Sequence, residues 1–305
     1  MVKNVAASVK QQLLNLSRSR GWDFNWLLSR YVNERLLYRI SQSSYTDQLI
    51  LKGAFLFIYW GKGELRPTRD IDLLGYDIED AKTVQHIFAE LCAVEVQSDD
   101  GLSYDPASIR ATPIQQGLEQ HGYRVHLLAY LGKARIRVQV DVGTGDVVTP
   151  EPEWIEFPTL LDSSPAPFLK AYPQEVTIAE KTHAMIDKGL KNSRMKDFYD
   201  LWMLSQHYAF SGERITLAMQ NTFQKKQLAI PEKVLPLAPI FGANREKQTQ
   251  WQGFVRKGDL LAPNFPEIIA ILHDFLSPPL QAILEKKFFD FSWSPGGPWR
   301  GDIEE

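Results

Sequence analysis

Two carboxylates separated by a single apolar residue, Asp70 and Asp72, are the feature of the sequence most suited to chemistry. They alternate with Ile71 and Leu73, and this two-residue period predicts a β-strand with both carboxylates on one face. Two like charges held this close raise each other's pKa unless a cation lies between them. A hard divalent ion, Mg²⁺ (or Mn²⁺), binds through one or two carboxylates plus substrate phosphates. The pattern therefore predicts a metal site that takes a nucleoside triphosphate (NTP).

A glycine at the end of the preceding apolar run is the second feature. Residues 49–51 (Leu-Ile-Leu) predict a strand that ends at Gly53, where phosphate groups could approach the backbone amides. Residues 55–60 form either a buried helix or a second strand, which periodicity does not separate; a helix would point its N-terminus at the anion. A glycine, a loop and Asp-x-Asp on a neighbouring strand are the signature of polymerase-β-like nucleotidyltransferases. A solvent-facing strand also explains Asp-Ile-Asp-Leu alone.

The residues around this pair narrow the resemblance. Lys52-Gly53 and residues 66–73 (Arg-Pro-Thr-Arg-Asp-Ile-Asp-Leu) resemble the AbiEii-type nucleotidyltransferase toxins of bacterial toxin–antitoxin pairs. In that family a Lys-Gly-Gly stretch precedes Arg-x-(Thr/Ser)-x-Asp-Ile-Asp-Leu. The sequence departs from the family at one position, where Ala54 replaces a second Gly or a Ser. The resemblance implies that the nucleotide contacts five residues here: Lys52, Gly53, Ala54, Arg66 and Thr68.

A second pair of strands offers a third carboxylate. Residues 123–130 and 134–141 predict two strands joined through Gly132, with Ile136, Val138 and Val140 on one face of the second strand. If this hairpin pairs beside the Asp70/Asp72 strand, Asp141 becomes a third metal ligand or a base. An aspartate at the end of a strand is equally common as a turn residue. The resemblance favours function, because the family also tends to have Asp-Val/Ile-Gly here.

The second half of the chain predicts helices that carry further charged groups. Residues 178–185 and 194–204 match a Glu-Lys helix and an Arg-x-x-Asp-x-x-Asp-Leu helix of the same family. Asp197 and Asp200, three residues apart, share one helical face and are predicted to be catalytic together with Lys181. Lys181 suits a β- or γ-phosphate oxygen, and Arg194 suits a bidentate phosphate contact. Ion pairing of the two aspartates with Arg194 or Lys196 within the helix is the alternative.

Composition restricts the class of protein. The 305 residues are 44% apolar and 23% charged, with one cysteine, Cys92, so neither a disulfide framework nor a cysteine-based metal site is expected. The first twenty residues lack the apolar core of a signal peptide, and no apolar run is expected to span a membrane. We expect a cytoplasmic protein. The net charge is −3, but residues 1–45 are basic, as a polynucleotide acceptor would require; solvated helix faces explain these charges equally well.

The expected fold is α/β (α+β), a small mixed nucleotidyltransferase sheet with N-terminal helices and a helical C-terminal half. Residues 1–45 form two helices (3–20 and 23–42) that pack on the core, residues 46–172 the core, and residues 173–305 the helical region. Six prolines in residues 144–173 predict an extended connection. Helices are also expected near 212–228 and 265–287, the latter interrupted by Pro278-Pro279, and the tail from residue 292 is expected to be poorly ordered.

The predicted function is Mg²⁺-dependent transfer of a nucleotide from an NTP. By the resemblance, the acceptor is an RNA such as a tRNA end, or a protein, and the partner is a cognate antitoxin. Two alternatives stay open at this stage. One is a small-molecule nucleotidyltransferase of the antibiotic-modifying kind, and the other is a catalytically silent nucleotide-binding module, which Ala54 favours.

Overall fold

The structure, a computed structural model, describes residues 4–61, 66, 68–116, 119–146 and 148–301. The chain divides into two compact units. We call residues 1–60, 67–146 and 153–171 the sheet unit, and residues 61–66, 147–152 and 172–305 the helical unit. The boundaries expected after residues 45 and 172 stay a prediction.

The sheet unit begins with the two predicted helices, α1 (Val5–Arg20) and α2 (Phe24–Ser41). Each helix starts at a side chain that caps it: Asn4 Oδ1 accepts from the backbone N–H of residue 7 at 3.0 Å, and Asp23 Oδ1 accepts from that of residue 26 at 2.7 Å. Helix α2 is buried over most of its length and packs on the sheet. The prediction of two helices on the core is confirmed.

The sheet has seven strands and is mixed. The strands are β1 (Leu49–Lys52), β2 (Ile71–Gly75), β3 (Leu102–Gln116), β4 (Glu119–Leu131), β5 (Ala134–Thr144), β6 (Glu153–Glu156) and β7 (Phe168–Ala171). Their order is β3-β4-β5-β2-β1-β7-β6; the β2–β5 and β1–β7 pairs are parallel and the others antiparallel. The α/β fold class is confirmed. The expectation that residues 144–173 form only an extended connection is wrong, because this proline-rich stretch contains β6 and β7.

Two helical segments connect the strands that carry the site. A single 3₁₀ turn (Gly53–Phe55) and the short helix α3 (Leu56–Trp60) follow β1, which settles the choice between helix and strand for this segment. Helix α4 (Ala81–Ala93) follows β2 and buries the apolar residues Val84, Ile87, Phe88 and Leu91. The chain then returns along β3 at one edge of the sheet.

The helical unit contains the remaining helices and a small sheet. Its helices are α5 (Gln174–Lys188), α6 (Met195–His207), α7 (Gly212–Lys225), α8 (Pro239–Gly242), α9 (Arg245–Gly258) and α10 (Phe265–Glu285). The strands β8 (Phe210–Ser211), β9 (Phe291–Trp293) and β10 (Trp299–Gly301) pair in the order β10-β9-β8. The tail is thus ordered as far as residue 301: Trp293 and Trp299 pack on Phe275 at ring distances of 4.8 and 5.9 Å. Residues 302–305 lie outside the described part.

Helix α10 corrects two further expectations. It continues through Pro278 and Pro279 where an interruption was expected. By length and composition alone it is also apolar enough to cross a membrane, contrary to the expectation that no such run exists. Nine of its residues are nevertheless buried, and it packs on α6, α7 and α8. We therefore interpret α10 as the core helix of this unit.

The basic residues of the N-terminal segment do not form the expected surface. Three of them, Arg30, Arg35 and Arg39, are buried in α2. Arg39 donates to both carboxylate oxygens of Asp100, at 2.7 and 3.2 Å. The exposed cations among the described residues of this segment are Lys10, Arg18 and Arg20; Lys3 lies outside the described residues. Burial of the other three arginines leaves too little charge for an extended basic face here.

Removing the buried partner of Arg39 is expected to destabilise the protein. Asp100→Ala leaves an unpaired guanidinium in the core, so the free energy of unfolding in urea should fall by about 3–5 kcal/mol. Asp99→Ala, at the exposed neighbouring position, removes one hydrogen bond to a backbone N–H and should cost about 1 kcal/mol. Equal losses in the two variants would contradict the assignment of the Arg39–Asp100 pair to the core.

Candidate active site

One row of charged side chains crosses four neighbouring strands of the sheet unit. Lys52 of β1 pairs with Asp72 of β2, Asp72 pairs with Asp141 of β5, and Asp141 pairs with Arg124 of β4. Residues paired across adjacent strands point to the same face of a sheet. The structure therefore confirms that the 134–141 strand lies beside the Asp70/Asp72 strand. The row has two carboxylates in the middle and a cation at each end.

Gly53 and Asp72 are packed against each other. A Cβ atom added to Gly53 would lie 2.2 Å from Asp72 Oδ2 and 2.7 Å from its Cγ. Gly53 also has φ +73°, in the left-handed region that side chains disfavour. The glycine is required because the Asp72 carboxylate lies where its side chain would be. This contact explains the glycine at position 53 more directly than access for a phosphate does.

Asp141 already has a strong partner. Arg124 donates to its two carboxylate oxygens at 2.8 and 2.7 Å, in the bidentate geometry of the tightest carboxylate contacts. The hydrogen bond to Asp141 raises the pKa of Arg124, and the charges of Asp70 and Asp72 add to it, although partial burial opposes the rise. Across the described residues, no group of three His, Cys, Asp or Glu side chains is arranged to hold a metal ion. The assignment of Asp141 as a third ligand stays a prediction.

Lys52 lies at the opposite end of the row. Its ammonium forms an ion pair with Asp146, a residue just beyond the end of β5. It also lies over Gly143, where an added Cβ would be 3.4 Å from Nζ. Both side chains of the Lys52–Asp146 pair are 15% exposed, so a bound anion could reach this lysine only by replacing Asp146.

The other residues predicted in the sheet unit surround the row. Asp70 immediately precedes β2 and is exposed, and Thr68 is half-buried two residues earlier. Ala54 is half-buried in the 3₁₀ turn that follows Gly53. Helix α3 has only five residues, and the attraction of an anion to its N-terminus stays a prediction.

The charged residues predicted in the second half of the chain form an ion-pair cluster in the helical unit. Lys181 of α5 donates to Asp197 at 3.1 Å and to Asp200 at 2.7 Å, both on α6. Arg66 donates to the two oxygens of Asp200 at 2.6 and 2.8 Å. Arg194, at the N-cap of α6, donates to Asp197 at 2.5 Å. The alternative prediction, that the two aspartates pair with cations of their own helix, is therefore confirmed in part, since Arg194 binds Asp197.

Opposite charges dominate the electrostatics of this cluster. Asp197 is fully buried, and burial alone would raise its pKa, but Lys181 and Arg194 outweigh burial and lower the pKa to about 2. The same competition lowers the pKa of Asp200, where Lys181 and Arg66 oppose burial. Burial also works against the charge of Lys181, but Asp200 and Asp197 raise its pKa above the usual value. All three groups are therefore charged at neutral pH, and they hold α5 against α6.

Two functional candidates were missed in the sequence, Arg124 and Asp146. Arg124 could have been found from the hairpin, because the two-residue turn at 132–133 pairs Leu131 with Ala134. Counting outward from that pair places Arg124 opposite Asp141. No comparable signal points to Asp146, since its contact with Lys52 depends on the order of strands in the sheet.

Comparisons with known proteins bear on the family and the fold of this chain. The family model for the AbiEii toxin, a nucleotidyl transferase of type IV toxin–antitoxin systems, matches residues 35–286. A solved structure from H. pylori that is named as a nucleotidyltransferase has a TM-score of 0.50 to this chain at 14% identity. The match covers 85% of this chain and 98% of that one. The structure of JHP933 from Helicobacter pylori has a TM-score of 0.46 at 16% identity, covering 84% and 93%. A search of curated proteins finds no match.

The fold is thus that of a nucleotidyltransferase. The family model covers most of the chain, and the protein belongs to the AbiEii family of nucleotidyltransferase toxins.

The contact between Gly53 and Asp72 predicts unequal effects of two similar substitutions. Gly145→Ala adds a Cβ at φ +78° in open space and should cost about 1–2 kcal/mol of unfolding free energy from backbone strain. Gly53→Ala at φ +73° adds the same strain and a clash with the Asp72 carboxylate, for a further loss of about 1–3 kcal/mol. Urea unfolding of both variants measures the difference, and equal losses would show that Asp72 does not depend on Gly53.

The low pKa of Asp197 predicts a pH-dependent loss of stability on substitution. Because the folded pKa of about 2 lies below the reference value of 3.8, the charged carboxylate stabilises the fold fully above about pH 5. This contribution, about 2 kcal/mol, disappears as pH falls toward 2. The difference in unfolding free energy between wild type and Asp197→Asn should therefore shrink from about pH 5 to about pH 2. A difference that is constant over this range would contradict the assigned charge state.

Proposed function

We propose that this chain is a Mg²⁺-dependent (or Mn²⁺-dependent) toxin that transfers a nucleotide from an NTP to an RNA acceptor such as a tRNA. The observation that carries the proposal is the row Lys52, Asp72, Asp141 and Arg124 in register across four strands, with Gly53 packed against Asp72. The carboxylates would bind the metal ion, and the cations on either side would bind the triphosphate. Metal-binding groups and groups that neutralise phosphate charge lie on one face.

The donor set fits a magnesium ion shared with a substrate. Asp70 immediately precedes β2 and Asp72 lies two residues further on, in the strand. Carboxylate oxygens are the ligands that Mg²⁺ takes together with substrate phosphates. Asp141 would join them only by giving up part of its contact with Arg124. When bound, the ion would neutralise phosphate charge and orient the reacting phosphate. A pair of carboxylates is a donor set that substrate oxygens would complete.

The side chains beside the carboxylates have roles of their own in the proposal. Arg124 orients Asp141, which is then held in place to accept a hydrogen bond from the attacking hydroxyl of the acceptor. Lys52 would exchange Asp146 for a phosphate oxygen and stabilise the charge that grows on the leaving pyrophosphate. The backbone amides at Gly53 and Ala54 border the same site.

We assign a supporting role to the cluster of Lys181, Asp197 and Asp200. Their charges are mutually satisfied and nearly all buried, and breaking such a cluster costs several kcal/mol (about 3–5). The cluster accounts for the Arg-x-x-Asp-x-x-Asp pattern as a means of fixing α6 against α5. This proposal differs from a direct catalytic role for the three residues.

The family supports the proposed partner. A type IV toxin–antitoxin family implies an antitoxin encoded for the same system. We propose that the toxin acts in the cytoplasm, where NTPs and RNA are both present.

A catalytically silent nucleotide-binding module is the second candidate. The observation in its favour is that Asp141 and Lys52 already have ion-pair partners, Arg124 and Asp146. A silent module would bind an NTP without transferring it.

Substitution of the central carboxylate tests the proposal. The purified protein, incubated with Mg²⁺, total tRNA and each labelled NTP in turn, should transfer label to RNA. Asp72→Asn should lower the rate by at least about 10³-fold, because one ligand and its charge are lost. Asp99→Asn, an exposed carboxylate on the same unit, should keep the wild-type rate. Binding of an NTP by wild type without transfer to RNA, protein or small molecules would overturn the proposal and support the silent module.

A further inference from the structure

The face of the sheet that carries the charged row continues along β4 and β5 as a basic surface. Arg135 and Arg137 lie on the same face of β5 as Asp141, and both are exposed. Arg135 pairs with Tyr130 of β4, and Arg137 pairs with Leu128. We call these four residues the β4–β5 surface.

The two arginines of this surface have no competing partner in the part of the chain that the structure describes. Within the described residues, the Arg135 and Arg137 guanidinium groups take part in no hydrogen bond or ion pair, in contrast to Arg124 in the same hairpin. The nearest carboxylate in the row of Arg137 is Asp105 of β3, whose Oδ1 accepts from the backbone N–H of Ala107 at 3.0 Å. Two exposed cations at alternate positions of one strand repel each other, and an external anion relieves that repulsion.

A cavity of about 320 Å³ opens beside Arg137. Its lining combines polar and apolar groups: Ser108, His126, Leu127, Leu128, Arg137 and Val138. His126 is exposed and its ring is planar, so it can stack on a base, while the arginine contacts the backbone phosphates. Cations that follow a strand, with flat or apolar side chains between them, are the pattern of surfaces that bind single-stranded nucleic acid.

The direction of β5 connects this surface to the charged row. Arg135 and Arg137 precede Asp141 by six and four residues on the same strand, which corresponds to about 20 and 13 Å at 3.3 Å per residue. A polymer bound along the β4–β5 surface would therefore lead toward Asp141 and Asp72. An acidic protein would be attracted by the same charges, but the spacing relative to the carboxylates favours a strand whose end reacts.

We infer that the β4–β5 surface binds the phosphodiester backbone of a single-stranded stretch of the acceptor polynucleotide. The inference rests on the proposed function only in so far as the acceptor is a polynucleotide. It replaces the basic N-terminal segment as the binding surface, because that segment buries three of its arginines.

Direct binding in the absence of any NTP tests the inference. A labelled single-stranded RNA of about 12 nucleotides, and a DNA of the same sequence, are titrated with full-length protein in increasing salt, with fluorescence anisotropy as the readout. Arg135→Gln/Arg137→Gln should weaken binding about tenfold and reduce the slope of log K against log salt by about 1.4, the value for two lost single-strand phosphate contacts. Arg135→Lys/Arg137→Lys should restore most of the slope, because the charges return.

The matched control is Arg18→Gln/Arg20→Gln, which removes the same charge from exposed positions of α1. It should leave the affinity and the salt slope unchanged. Equal weakening in the control, unchanged binding in Arg135→Gln/Arg137→Gln, or no salt-dependent binding of RNA by wild type would each overturn the inference. A preference for RNA over DNA would assign part of the recognition to the 2′-hydroxyl; equal binding would assign it to the backbone. Both results support the inference when the arginine variant weakens binding.

Nucleotide transfer separates this inference from the proposed function. If RNA binding depends on Arg135 and Arg137 but no label is transferred, the surface stands and the proposed function fails. If label is transferred and the KM for RNA is the same in Arg135→Gln/Arg137→Gln as in wild type, the proposed function stands and the inference fails. Wild-type NTP binding and an unchanged unfolding midpoint confirm that the variant is folded.

Discussion

The close packing of Gly53 against the Asp72 carboxylate is the contact on which the geometry of the site depends. It fixes the end of β1 beside the start of β2, because Asp72 Oδ2 lies where the glycine side chain would be. The antiparallel pairing then places Lys52 opposite Asp72, and the parallel pairing of β2 with β5 places Asp141 on the other side. A slip of one residue in either pairing would turn these side chains to the opposite, apolar face of the sheet.

Charge compensation follows from that register. Carboxylates on neighbouring strands repel each other, and the protein places a cation at each end of the row. The helical unit solves the same problem in its interior, where Lys181 lies between Asp197 and Asp200 and each aspartate has a second, arginine partner. The row in the sheet unit is half-buried, and its carboxylate Asp141 is 21% exposed, whereas the buried cluster satisfies its charges internally.

Residue patterns predicted those parts of the fold in which a local period determines the structure. The alternation around Asp70 and Asp72 and the hairpin through Gly132 predicted the strands of the site, and the two N-terminal helices were also predicted. Strand β3 was not predicted, because Pro106 and Pro113 interrupt its sequence pattern. The strand forms nevertheless because it lies at the edge of the sheet, where the backbone N–H groups on one side need no partner. The strands β6 and β7 were also missed, because prolines flank these short strands although neither strand contains one. The contact between Lys52 and Asp146 depends on strand order, which no local pattern specifies.

The arginines show why charge cannot be assigned to a surface by counting along the sequence. The cations of α2 occur on a helix that is buried nearly all round, so Arg35 and Arg39 act within the core. Those of β5 occur at alternate positions of a strand with one buried face, and alternation forces Arg135 and Arg137 to the open side. The same residue type is therefore structural in one element and available to a ligand in the other. The difference is the number of faces that each element buries, a property of the tertiary structure. Because Asp141 shares the open face of β5, this strand brings onto one surface a candidate catalytic carboxylate and two cations that pair with no side chain among the described residues.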